Sequence, residues 1–155
     1  MTAFTVSTAS SATVEADQRA IWDALTDPVL LPKLTPNLRA IDAHGDRWVW
    51  HLNRIPVLGK VMSPSFTELM GFDEPRQITF THDPERDDEK AGVEGSYHLA
   101  NGRQGTQLNI RLAITVDLPF PGVARPAVHT AMRGVVGAMG HRFSSNLVRH
   151  LSRDS

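Results

Sequence analysis

Phe66, Glu68 and Met70 alternate along one apolar stretch, so a strand that turns Phe66 inward carries Glu68 inward with it. A carboxyl group in apolar surroundings has a raised pKa and can give or accept a proton, which makes Glu68 a candidate polar anchor. An exposed Glu68 is the competing reading, because a bend at Pro64 can flip the register. His82 ends a clean alternation with Ile78 and Phe80, a place for a general acid/base or hydrogen-bond donor at a cavity mouth. A solvent-facing or already satisfied histidine competes with that role. Tyr97 shares its face with Val93 and Leu99 and offers a hydroxyl to the interior, or is an ordinary strand aromatic. Trp48 and Trp50 lie two apart on one strand face, where they can stack on a flat or lipid-like ligand or simply fill a core.

Other chemistries lack their residues. The chain has no cysteine, which removes thiolate catalysis and Cys-based metal sites. It contains no G-x-S-x-G, H-E-x-x-H, P-loop or G-x-G-x-x-G motif. The histidines show no ligand-like spacing, and Asp83, Asp87, Asp88 and Glu89 are wrongly spaced for a calcium loop. No metal and no cofactor are therefore expected. A formal net charge of −1, with acids and bases mixed, argues against a nucleic-acid partner. No run of about 18 apolar residues exists to span a membrane, and the first residues lack a secretory pattern. The expected location is the cytoplasm. A length of 155 residues suits one domain over 1–155.

The elements that must position these residues follow from periodicity. Phe4–Ala16 reads as a first strand. Asp17 can cap a helix over Gln18–Thr26, and Pro28 can open a second short helix to Leu34. Strands are expected over Leu38–Ala43 and Asp46–Asn53, around His44-Gly45, with Ile55–Gly59 as an apolar loop. Val61–Phe72, interrupted near Pro64, and Gln77–His82 continue the sheet. Ala91–Ala100 and Gln104–Val116 form a hairpin around Asn101-Gly102, with Leu108, Ile110, Leu112, Ile114 and Val116 on one face. From Val123 to about Leu151 runs one helix with Val128, Met132, Val135, Met139 and Phe143 in an apolar stripe. At 1.5 Å per residue it is roughly 42 Å long, and only the sheet can cover it. The expectation is an α+β fold in which a curved antiparallel sheet of six to seven strands grips this helix around an apolar cavity.

Three stretches resemble the START-type, birch-pollen-allergen-like helix-grip superfamily, which includes polyketide cyclase/dehydrase and lipid-transport proteins. They are Val14–Pro28, Phe66–Leu69 continuing into Asp73–Phe80, and Leu118–Pro121 leading into the last helix. The resemblance implies ligand binding in a cavity rather than a particular reaction. The first function expected is binding or transport of a hydrophobic small molecule of lipid, polyketide or isoprenoid type. Its lining would include Trp48, Trp50, Phe66, Phe80, Tyr97, Leu108, Ile110, Leu112, Met132, Val135 and Met139. A cyclase or dehydratase working through Glu68, His82 and Tyr97 is the alternative. A third reading is an interaction module, as monomer or homodimer, using the Gly134, Gly137 and Gly140 side of the helix or the Ile55–Gly59 loop.

Overall fold

The computed structural model describes residues 2–153. Strand β1 (Thr2–Val14) leads into α1 (Gln18–Leu25) and the single-turn α2 (Leu31–Leu34). Strands β2 (Leu38–His44), β3 (Arg47–Leu52), β4 (Ile55–Val57), β5 (Lys60–Met62), β6 (Ser65–Asp73), β7 (Gln77–His82), β8 (Ala91–Gly102) and β9 (Gly105–Leu118) follow. A 3-10 turn at Gly122–Ala124 then opens α3, Arg125–Arg153. Seven strands form one antiparallel sheet in the order β1-β9-β8-β7-β6-β3-β2, and β4 pairs only with β5. Among the described residues no helix is long and apolar enough to cross a membrane.

Local chemistry explains the boundaries. The Asp17 carboxylate accepts the Ala20 N–H at 2.7 Å and starts α1. Asp27 then accepts the N–H groups of Val29 and Leu30, which holds Pro28–Leu30 in a turn. The second helix therefore starts at Leu31, not at Pro28. Ile55–Gly59 is not a loop but the first half of a small hairpin, because Leu58 and Gly59 both take positive φ, as a tight two-residue turn demands. Its alternation buries Ile55 and Val57 and exposes Pro56. The β8–β9 hairpin extends two residues beyond expectation, to the pair Gly102 and Gly105. Gly105 is required there: a Cβ would lie 2.1 Å from the Val14 carbonyl oxygen.

The inner face of the sheet holds α3 by its two ends. Phe143, Leu147 and Leu151 pack with α1, α2 and residues of β3 and β6–β9 in one core. Val128 and Met132 pack with Phe4, Val6, Ile55, Val57 and Leu118 in a second. Between these cores, residues 133–142 of α3 contribute no buried side chain. Val135, Val136 and Met139 are only half-buried there, and so are Ile110, Leu112 and Ile114 on β9. The helix is seated on β1, β4, α1 and α2 and stands further from the middle strands. The result is a molecule packed at both ends of α3, with a waist of partly buried side chains between the two cores.

Candidate ligand-binding site

Strand pairing sets residues of β3, β6 and β7 side by side in rows. Trp48 lies opposite Glu68, and Glu68 opposite His82. Trp50 lies opposite Phe66, and Met70 opposite Phe80. Trp50 and Phe66 stack nearly parallel with ring centroids 6.4 Å apart, and Phe80 meets the Tyr97 ring at 5.3 Å, inclined by 60°. Trp48 is fully buried, and its Nε1 donates to the Gly45 carbonyl at 3.1 Å, so it serves the core. Trp50 is half-buried at the waist, and its Nε1 is enclosed without a hydrogen-bond partner.

Glu68 points inward and is 1% exposed. Its Oε1 accepts the Val93 N–H at 3.1 Å, and its Oε2 is buried with no partner. Burial pushes its pKa to about 9, partly offset by the Val93 N–H, while the nearby charges of Glu89 and Glu94 act in the same direction as burial. Glu68 is therefore a neutral acid at pH 7, with a proton to offer. Burial likewise raises the Tyr97 phenol to about 12, so it too stays protonated. On α3, His129 sits edge-on to Phe4, and its buried Nε2 has no partner.

His82 takes a different position from the one its alternation suggested. The β7–β8 ladder is paired only as far as Phe80 and Gly95. Beyond that point the His82 ring lies against Gly92, with Nε2 2.9 Å from Glu89 Oε1. Glu89 also accepts the Thr67 N–H and hydroxyl, each at 2.7 Å, so the loop over residues 83–90 is latched to β6. Together with Thr5, Thr115 and Asp117, His82 and Glu89 line a recess of about 390 Å3 on the outer face of the sheet. A second, shallow recess of about 510 Å3 lies on the solvent side of α3, against His141, Ser144 and Arg149. Neither lies between sheet and helix, where the sequence suggests an apolar cavity. Between sheet and helix the side chains pack into the two cores, with partly buried ones at the waist.

The expected lining residues divide accordingly. Phe80, Leu108 and Met132 are buried in the two cores and Phe66 is buried against Trp50, whereas Trp50, Tyr97, Ile110, Leu112, Val135 and Met139 border the waist. Val93 and Ile114, which the alternation places on the same strand faces, join them, as does Val136, which was not singled out from the sequence. Beside Gly134, Gly137 and Gly140 there is open space, not a neighbouring element. Among the described residues no three His, Asp or Glu side chains converge as a metal ion needs.

The gripped helix and the seven-stranded sheet define a helix-grip protein. The chain belongs to the family described as polyketide cyclase/dehydrase and lipid transport, whose sequence model matches residues 5–152. Among solved structures it is similar to the Zhui aromatase/cyclase from Streptomyces sp. R1128, with a TM-score of 0.71 and 14% identity over 96% of this chain and 94% of that one. It is similar also to a START superfamily protein from Mycobacterium smegmatis, with a TM-score of 0.66 and 19% identity over 97% and 99% of the two chains. The di-domain aromatase/cyclase StfQ of the steffimycin pathway matches at 0.67 and 13% identity, and there the chain spans 97% of its own length but only 52% of the other's. No curated protein sequence matches the chain. At these identities the structural likeness speaks for the fold alone.

Proposed function

We propose that the protein binds, and carries, a hydrophobic small molecule at the waist between the middle strands and α3. The observation that bears most weight is the ring of only partly buried apolar side chains on an inward face: Trp50, Tyr97, Ile110, Leu112, Val135 and Met139. Apolar surface left in contact with water inside a fold is stabilised by a ligand that replaces the water. Anchoring of α3 at its ends leaves the waist free to widen when an occupant enters. Membership of a family that includes lipid transport agrees with this reading.

An enzymatic reading, as cyclase or dehydratase, asks for an acid and a base on the same molecule. Glu68 supplies an acid, but His82 is engaged by Glu89 beside the outer recess. Binding is therefore favoured. Native mass spectrometry of the purified protein, alone and with a panel of lipids, polyketides and quinones, tests it. One-to-one complexes are expected, and a protein that stays empty against the whole panel overturns the proposal.

A further inference from the structure

Native interiors leave few polar groups unpaired, because each costs the hydrogen bond it gave up in water. The inner face of this sheet keeps two on neighbouring strands, Trp50 Nε1 and Glu68 Oε2. An indole N–H can only donate. The Glu68 carboxyl already accepts at Oε1 from Val93, so a proton on its free oxygen makes it a second donor. Trp48 lies opposite Glu68 and Trp50 opposite Phe66, which sets the two donors on adjoining rungs of one face. No Arg or Lys is buried among the described residues, and Glu89 and Glu94 both act on Glu68.

Resting on the binding function proposed above, we infer that Glu68 and Trp50 make the waist selective for neutral apolar molecules that present an acceptor oxygen, such as an ester, ketone or alcohol, over carboxylate anions. An oxygen of such a ligand satisfies donors that are otherwise unpaired. A hydrocarbon leaves both donors unpaired. A carboxylate places a second acidic group beside Glu68, near Glu89 and Glu94, with no buried cation to offset it. Glu68 thus acts as a specificity-determining residue, and the Trp50 N–H adds specificity to the apolar contact its ring makes.

The test uses two matched probe sets at pH 7, one linear (methyl dodecanoate, dodecane, dodecanoate) and one flat (fluorenone, fluorene, fluorene-9-carboxylate), with affinities from calorimetry or native mass spectrometry. In the set that fits, the neutral oxygenated member should bind at least about 10-fold tighter than the hydrocarbon and the carboxylate, a difference of about 1.4 kcal/mol. Glu68→Met and Trp50→Phe should each shrink the advantage over the hydrocarbon by about 3-fold or more, read as the ratio of the two affinities within each variant. Glu68→Gln keeps a donor and the side-chain volume, so it should retain that advantage even if Glu68→Met fails to fold. A carboxylate that binds as tightly as the ester or ketone overturns the selectivity and leaves the binding function standing. So does an advantage that survives Glu68→Met and Trp50→Phe, or one that Glu68→Gln abolishes. Failure of every probe in both sets overturns the binding function as well.

Discussion

Glu68 and Val93 meet across the end of β7: the Val93 N–H donates to Glu68 Oε1 at 3.1 Å, beyond the last β7–β8 pair at Phe80 and Gly95. A backbone donor freed by the departing strand is satisfied by a side chain reaching from β6. That contact holds a carboxyl inside the sheet, and burial keeps it protonated.

The pH dependence of stability follows from that arrangement. Glu68 has a folded-state pKa of about 9, against 4.5 for the ordinary side chain. Between those values the unfolded chain releases a proton that the folded chain keeps, so stability falls as pH rises through the window. The slope is at most about 1.4 kcal/mol per pH unit. The charged or titratable neighbours, Glu89, Glu94 and His82, remain in a Glu68→Gln protein, so the difference between the two proteins isolates Glu68. Urea unfolding from pH 5 to 8 should show the wild type losing stability relative to Glu68→Gln. Parallel curves would mean that Glu68 ionises normally.

Two glycines make opposite predictions. A Cβ on Gly95 would sit 2.1 Å from the Arg111 carbonyl oxygen and 3.0 Å from the Phe80 ring, so Gly95→Ala should destabilise by about 2 kcal/mol or more. Gly137, in the middle of α3, faces open space, and Gly137→Ala should stabilise by up to about 1 kcal/mol through helix propensity. Thermal denaturation of both variants checks the pair. A destabilised Gly137→Ala protein would show that something packs on that face.

Asn146 ties α3 to α2 by donating from Nδ2 to the Leu34 carbonyl at 2.9 Å. Asn146→Ala should cost about 1 kcal/mol, or roughly 3 °C in Tm. It should also increase amide hydrogen exchange in the C-terminal half of α3 more than near Val128, because the other core holds that end. Equal acceleration along the helix would show that the two cores do not act separately.

Much of this architecture is legible in the sequence because it rests on long, regular patterns. The alternation from Leu108 to Val116 covers nine residues and the stripe from Val128 to Phe143 sixteen, so register and face are fixed by repetition. The β4–β5 hairpin is not legible, since three-residue strands give too little alternation and Leu58 is a poor residue for the positive φ it takes. Alternation with Phe66 and Met70 offers the inward placement of Glu68 as one of two readings, the bend at Pro64 leaving the other open, and the position of His82 does not follow from Phe80. Pairing between β7 and β8 stops short of His82, and Glu89 in the loop that follows it holds its ring beside the outer recess. The extent of the waist was hidden for a similar reason. It depends on how far two separate cores hold α3 from the middle strands, which no local pattern encodes.

The most direct test is a methyl-labelled NMR titration with the best-binding probe of the two sets. Saturable shifts are expected at Ile110, Leu112, Ile114, Val135 and Met139, with Ala91, Ala113 and Thr115 by the outer recess unchanged. Shifts confined to the outer recess, or none that saturate, would contradict binding at the waist.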